Sequence, residues 1–192
     1  KTCSSSKSFN NHLGVPISLS NLNFEDKFGV FEVGMSKAGE IKSLSRLIKP
    51  HIGVITNIGE AHIENFGSVH GIAKAKSEII DCIDEGGTII LNRDDKYFNY
   101  LSKKAKSNKL KIYTFGYNKQ SNVQIKKITK KSYYSKILVK INNKIIDLKI
   151  RDLNIYNILA SLAVLKVLKI DINKIKAKLK NFESPEGRGK KY

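Results

Sequence analysis

One lysine, Lys76, lies among the apolar residues of a predicted helix. If the helix begins near Val69, the spacing of three and four residues places Lys76 on one face with four isoleucines. These are Ile72, Ile79, Ile80 and Ile83. Burial of an unpaired ammonium is costly and lowers its pKa, so a lysine at this position indicates a partner or a reactive amine. The alternative is a side chain that extends its ammonium to solvent. Lys74, two residues earlier, points away from this face.

Glu32 and His62 follow two predicted strands, at the ends where ligands collect in α/β sheets. Glu32 interrupts the apolar segment 28–34, and His62 lies in the polar loop after segment 52–56. Because the carboxyl ends of consecutive parallel strands lie side by side, both side chains are expected to meet near Lys76. Glutamate and histidine can hold a divalent cation that handles phosphate, although Mg²⁺ prefers oxygen. Taken singly, Glu32 is better explained as a capping glutamate and His62 as an ordinary loop histidine, and only their joint placement favours a site.

Alternating strands and helices must position these three residues. Strands are predicted at 28–34, 52–56 and 86–91, and helices at 39–49, around Lys76 and at about 95–107. This alternation predicts an α/β fold with a mostly parallel sheet flanked by helices.

From residue 110 the pattern changes to short segments of alternating polarity. They cover residues 111–115, 123–128, 134–141 and 144–150, and Asn142 with Asn143 would form a hairpin turn. These segments predict a small antiparallel β subsheet over residues 110–150. A buried helix is predicted over 154–168 and an amphipathic helix over about 172–179, whereas residues 1–28 are predicted to be polar and rich in turns.

The net charge of +18 comes entirely from the second half of the chain. Residues 1–95 carry ten Lys and Arg against twelve Asp and Glu, and residues 96–192 carry twenty-five against five. Only four of the basic residues are arginines, and no aromatic residues are spaced for base stacking, so a specific nucleic-acid interface is not expected. Two cysteines, Cys3 and Cys82, form no metal-binding pair, and no apolar run reaches eighteen residues. A monomeric cytoplasmic protein without membrane insertion is expected.

Six segments, in this order, resemble the Mur ligase family. They are residues 9–16 (FNNHLGVP), 31–41 (FEVGMSKAGEI), 55–62 (ITNIGEAH), 73–79 (AKAKSEI), 91–95 (LNRDD) and 154–157 (NIYN). The resemblance covers essentially the whole chain as the central, ATP-binding domain. The first two segments favour the family member that adds D-Ala-D-Ala over ligases that add single amino acids and over folylpolyglutamate synthase.

The resemblance implies an ATP- and Mg²⁺-dependent amide ligase of peptidoglycan precursor synthesis. The carboxylate of a UDP-MurNAc-tripeptide would attack the γ-phosphate of ATP, and the amine of D-Ala-D-Ala would then displace phosphate from the acyl phosphate. Glu32 and His62 match Mg²⁺ ligands. Lys76 matches a lysine that family members carbamylate, which creates an anionic metal ligand, and the desolvated neutral amine is the form that reacts with CO₂. Lys76 and His62 are therefore the expected catalytic residues.

Further residues are assigned by the same resemblance. Asn10 and Asn11 match a segment near the UDP-MurNAc peptide substrate. Asn154 and Asn157 match a pair near the adenine of ATP, although Asn154 is also a natural helix N-cap. The weaker candidates for nucleotide binding are Asn92 and Asp94.

The chain departs from the family pattern at three places. The phosphate loop G-x-x-G-K-[ST] does not occur in it and would precede Lys1. The carboxy-terminal domain of the family, which would begin after Gly189, is missing as well. The domain is therefore expected to span 1–189, truncated at both ends, with 190–192 as the start of a linker and with no turnover of its own. Arg151 and the two residues after it replace the Gly-Arg-His usual before the Asn pair. Open alternatives are another Mur-type or folylpolyglutamate-type ligase, a noncatalytic basic nucleic-acid-binding module and a degenerate nucleotide-binding remnant.

Overall fold

The structure, a computed structural model, describes residues 1–6, 8–151 and 154–176. The strands are β1 (Thr2–Ser4), β2 (Phe28–Val30), β3 (Ile52–Ile55), β4 (Thr88–Asn92), β5 (Lys111–Gly116), β6 (Val123–Lys130), β7 (Ser135–Ile141) and β8 (Lys144–Ile150). The α-helices are α1 (Gly14–Ser20), α2 (Glu40–Ile48), α3 (Ile63–Phe66), α4 (Val69–Lys76), α5 (Phe98–Ser107) and α6 (Ile155–Val167), and 3₁₀ helices cover Ser77–Cys82 and Ile172–Ile175. The predicted α/β class is confirmed.

The main sheet has six strands in the order β3-β4-β5-β6-β7-β8. Neighbours from β3 to β6 are parallel, and β6, β7 and β8 are antiparallel. The predicted turn at Asn142 joins β7 to β8, because Ile141 pairs with Lys144 across two residues. A connection of this length permits only antiparallel pairing.

The prediction of an antiparallel segment from residue 110 is wrong for its first strand. All five residues of β4 pair in parallel with β5, so β5 belongs to the parallel part of the sheet. β6 overlaps the end of β5 by only two residue pairs and then continues beyond it. β6, β7 and β8 therefore form the antiparallel part, which continues the main sheet past β5.

Two apolar layers enclose the main sheet, because side chains of a strand alternate between its faces. Ile89 and Leu91 of β4 face a cluster that includes Ile72 of α4 and Leu101 of α5. Ile90, between them, faces the opposite cluster, which is built on α6 and the antiparallel strands. α6 has buried residues on several sides, as predicted for residues 154–168. The helix around Lys76 and the helix within 95–107 thus share one face of the sheet.

The N-terminal segment contains more regular structure than its polar sequence predicts. β1 and β2 form a separate two-stranded parallel sheet, and the seven-residue helix α1 lies between them in the chain. Pro16 is the third residue of α1, where a missing N–H costs no helical hydrogen bond. β2 is shorter than the predicted buried strand and is largely exposed, with Val30 57% accessible.

Some predictions fall partly outside the described residues. The helix at about 172–179 is a 3₁₀ helix over Ile172–Ile175, and residues 177–192, including the predicted boundary at 189 and the linker at 190–192, lie outside. The same holds for the two residues after Arg151. Across the described ranges, no helix combines the length and apolarity needed to cross a membrane.

Candidate functional site

An open cleft of about 430 Å³ lies beside the N-terminal segment. One wall is the chain from Gly34 to Leu44, and the residues that complete the lining are Asn10, Asn11, His12 and His62. Three residues predicted from sequence, Asn10, Asn11 and His62, are therefore brought to one place although they are up to fifty-two positions apart.

Asn10 connects Glu32 to this cleft. Its Nδ2 group donates to Glu32 Oε1 at 3.0 Å, and its backbone carbonyl accepts from the Gly34 N–H at 2.7 Å. A Cβ atom on Gly34 would lie only 3.0 to 3.1 Å from the Asn10 amide group, so glycine allows this close approach. Glu32 is exposed, two residues beyond the end of β2.

Asn11 has a structural role at the start of α1. Its Oδ1 atom accepts from the N–H groups of Leu13 and Gly14, at 3.1 and 2.9 Å, and its backbone carbonyl accepts from Val15. These bonds satisfy donors that the first turn of a helix leaves free. Any contact of Asn11 with a ligand would therefore come through its Nδ2 group.

His62 is exposed and adopts a left-handed backbone conformation, with φ of +64°. A left-handed conformation costs a non-glycine residue roughly 1 to 2 kcal/mol. The surrounding turn stabilises it, because the His62 carbonyl accepts from the Asn65 N–H at 2.9 Å and α3 begins at the next residue. The strain marks His62 as a residue whose position is enforced.

Lys76 is half-buried at the end of α4, as the helix phasing predicts, whereas Lys74 is exposed. The Lys76 Nζ atom donates to the Asn57 carbonyl oxygen at 2.9 Å. Burial lowers the pKa of Lys76, and the negative charge of Asp95 opposes this shift. Asp95 also accepts from the Ile58 N–H at 2.6 Å, so both residues hold the loop that leads to His62.

The expected meeting of Glu32, His62 and Lys76 differs from the observed arrangement. β2 and β3 lie in different sheets, so their ends are not neighbours in one sheet. His62 and the Asn10–Glu32 pair meet at the cleft, and Lys76 binds the loop behind His62. Within the described ranges, no three His, Cys, Asp or Glu side chains form a group able to hold a metal ion.

The candidate nucleotide residues lie near the ends of β4 and β5 and the start of α6. Asn154 caps α6, because its Oδ1 atom accepts from the N–H groups of Tyr156 and Asn157 at 2.9 and 3.4 Å. Asn157 is exposed one turn further on. Asn92 is buried at the end of β4, where its Oδ1 atom accepts from the Asp94 N–H at 3.0 Å.

The Asp94 carboxylate binds three donors. They are the N–H groups of Tyr117 and Asn118, at 2.6 and 2.9 Å, and the Tyr156 hydroxyl at 3.2 Å. Burial and the Asp94 charge raise the pKa of Tyr156 to about 12, so this hydroxyl remains a donor at neutral pH. Tyr156 joins the end of β4 to the start of α6; it lies within the segment 154–157, but no role for it was predicted from the sequence.

A family model for the Mur ligase middle domain matches residues 1–165. The chain belongs to the Mur ligase family. The match covers the cleft, α4 with Lys76 and the start of α6, which are the elements that the six sequence segments predicted.

Named relatives and solved structures agree with this membership. The Mur ligase domain is 36% identical over 180 residues to the UDP-N-acetylmuramoyl-tripeptide–D-alanyl-D-alanine ligase of Buchnera aphidicola subsp. Acyrthosiphon pisum, covering 91% of this chain and 39% of that protein. The MurF crystal structure from Acinetobacter baumannii superposes with a TM-score of 0.89 at 28% identity, covering 97% and 41% of the two chains. MurF from Thermotoga maritima, solved in complex with ADP, superposes with a TM-score of 0.85 at 22% identity, covering 97% of this chain and 43% of that chain. At this identity the likeness supports the fold alone.

This Mur ligase domain spans about two fifths of the length of the relatives that it matches. The activities and substrates named for these relatives are those of the longer proteins.

Proposed function

We propose that the chain is the central domain of an ATP-dependent ligase that adds D-Ala-D-Ala to a UDP-MurNAc-tripeptide through an acyl phosphate. The observation that carries the proposal is the cleft in which Asn10, Asn11 and His62 lie together, with Glu32 bound to Asn10. The ligase name of the Buchnera relative gives the specific reaction. The full-length protein would act as a monomer in the cytoplasm, where peptidoglycan precursors are made.

Glu32 and His62 would hold Mg²⁺. They fit this role because the Glu32 carboxylate is exposed beside the cleft and the His62 side chain lines it. When bound, the ion would supply positive charge that stabilises the anions of phosphoryl transfer. Mg²⁺ prefers oxygen ligands, and two protein side chains leave most of its coordination open. Lys76 does not line the cleft, so a carbamate on it would have to give up the position at the Asn57 carbonyl before it could add an oxygen ligand.

Lys76 supports this assignment through its burial and its lowered pKa. A larger fraction of its amine is neutral at a given pH than for an exposed lysine, and the neutral amine attacks CO₂ to form the carbamate. The C–N bond forms as the amine gives up one proton to solvent. Carbamylation replaces a cation by an anion, so the side chain would exchange its contact with the Asn57 carbonyl for one with a cation.

Asn157 and Asn92 would contact the nucleotide, and Asp94 would act indirectly by fixing the turn at Tyr117 and Asn118. Asn154 would begin α6 and thereby orient Asn157. This division of roles is supported by the two bonds that Asn154 Oδ1 accepts and by the three donors that already occupy Asp94.

The test is ligation by the full-length protein. ADP release should require both the UDP-MurNAc-tripeptide and D-Ala-D-Ala, and mass spectrometry should detect the pentapeptide product. ADP release with a single amino acid in place of D-Ala-D-Ala would assign the protein to a different ligase of the family. ADP release with glutamate and a folate would do the same. Elution as a single monomeric species during gel filtration with light scattering would support the proposed oligomeric state.

A further inference from the structure

We propose that Glu78 is a positioning residue that seats one wall of the substrate cleft. Glu78 lies two residues after Lys76, in the 3₁₀ helix Ser77–Cys82. Its Oε1 atom accepts from the Gly39 N–H at 2.7 Å, and its Oε2 atom accepts from the Lys42 N–H at 3.0 Å. The carboxylate thus binds the start of α2, thirty-six and thirty-nine positions earlier in the chain.

Two carboxylates together fix the loop before α2. Glu40 Oε2 accepts from the N–H groups of Ser36 and Lys37, at 2.5 and 3.0 Å. These two backbone bonds are the main cause of the lowered pKa of Glu40, so this carboxylate stays ionised at neutral pH. Gly39, which lies between Lys37 and Glu40 in the chain, has φ of +88°, a conformation suited to glycine. Glu78 supplies the bonds that come from outside the loop.

The loop held in this way forms a large part of the cleft. Gly34, Met35, Ser36, Glu40, Ser43 and Leu44 line it together with Asn10, Asn11, His12 and His62. α2 packs against the 3₁₀ helix that carries Glu78, and the Cys82 thiol there donates to the Lys42 carbonyl at 3.5 Å. Movement of Glu78 would therefore move the wall relative to His62.

The short segment 76–78 also contacts a second part of the cleft lining. Lys76 binds the Asn57 carbonyl in the loop that leads to His62, while Glu78 binds the loop that leads to α2. The segment thereby links the loop of His62 to the loop before α2. This inference rests on the proposed function, because it assigns the cleft to the UDP-MurNAc-tripeptide.

The primary variant is Glu78→Gln in the full-length protein, with Glu85→Gln as its control. Glutamine keeps the shape of the side chain and loses its charge and one acceptor. Glu85 makes an exposed ion pair with Lys109, at 3.0 Å. We expect the KM for the UDP-MurNAc-tripeptide to rise about tenfold for Glu78→Gln. In Glu78→Gln, the KM for ATP and kcat should stay within about twofold of the wild-type values. In the control Glu85→Gln, the same two quantities should also stay within about twofold.

A second pair of variants tests the same hydrogen bond from its donor side. Lys42→Pro removes the N–H that Glu78 accepts, and position 42 is the third residue of α2, as Pro16 is of α1. Lys42→Ala removes the side chain but keeps the N–H. The tripeptide KM should rise for the proline variant relative to the alanine variant. This pair also decides the proposal if Glu78→Gln does not fold.

Amide hydrogen exchange of residues 36–39, measured on the same proteins, separates the possible failures. We expect faster exchange in Glu78→Gln and in Lys42→Pro than in their controls. Unchanged exchange, or faster exchange with an unchanged tripeptide KM, would overturn the positioning role. Equal rises of the KM values for ATP and the tripeptide would indicate a general structural effect and would also overturn it. If the wild-type protein does not ligate, the proposed function fails, and the exchange result still reports whether Glu78 seats the loop.

Discussion

Lys76 donates a hydrogen bond of 2.9 Å to the Asn57 carbonyl oxygen and thereby joins the end of α4 to the loop that carries His62. The bond places a half-buried amine behind the cleft, while Lys74 on the same helix is exposed. The two lysines consequently form a matched pair for testing the site.

Replacement of Lys76 by alanine in the full-length protein should reduce ligation by at least about 100-fold. The reason is the loss of an anionic ligand, so short carboxylic acids such as acetate should restore part of the rate. Lys74→Ala should be nearly silent in the same ADP-release assay. Equal effects of the two substitutions would show that the assignment of Lys76 is wrong.

Carbamylation of Lys76 should increase with pH and with bicarbonate. The pKa of Lys76 is lowered by burial, so the reactive neutral amine becomes more abundant as pH rises from about 7 to about 9. Carbon-13 NMR with labelled bicarbonate should show a carbamate signal that grows over this range. The signal should be absent in Lys76→Ala and present in Lys74→Ala, and its survival in Lys76→Ala would assign it elsewhere.

Substitutions of the two asparagines at the start of α6 should have different effects, one on stability and the other on nucleotide binding. Asn154→Ala should lower the free energy of unfolding by about 1 kcal/mol, because it removes the helix cap. Asn157→Ala should change it by less than about 0.5 kcal/mol and should raise the KM for ATP. Urea denaturation and steady-state kinetics provide the two measurements. An unchanged KM for ATP in Asn157→Ala would remove Asn157 from the site.

Gly116 should resist substitution because of its contact with Asp94. A Cβ atom there would lie 2.5 Å from Asp94 Oδ2, and φ is +145°. Gly116→Ala should lower the free energy of unfolding by about 2 to 4 kcal/mol. Gly86→Ala is the control, because φ is +81° but no atom lies within 4 Å of the new Cβ. Gly86→Ala should lower the free energy of unfolding by about 1 to 2 kcal/mol. Equal losses would mean that the Asp94 contact has no effect.

Binding to duplex DNA should be weak and should disappear at modest salt. One lysine charge on the antiparallel strands is already paired, since Lys136 Nζ lies 2.7 Å from Asp147 Oδ2. Fluorescence anisotropy with a labelled duplex should show loss of binding between about 50 and about 200 mM salt. Submicromolar binding that persists above this range would favour the basic binding module instead.

The sequence alone determined features that depend on local spacing. The burial of Lys76 relative to Lys74 follows from helical periodicity, the cap at Asn154 follows from its side-chain oxygen, and the turn at Asn142 follows from two Asn residues between alternating segments. In each case the residues that form the pattern lie within a few positions of one another, whereas the partner of Lys76, the Asn57 carbonyl, lies nineteen positions away and was not predicted.

Only the tertiary structure decided which distant segments meet. The direction of β5 depends on its pairing with β4, and short alternating segments are compatible with either direction. The bond from Asn10 to Glu32 and the two bonds from Glu78 to the start of α2 join residues at least twenty-two positions apart. No periodicity specifies such contacts, because they depend on how α2 and the 3₁₀ helix pack together. The sequence thus indicated candidate side chains, and packing decided that Asn10, Asn11 and His62 line one cleft while Lys76 binds the Asn57 carbonyl.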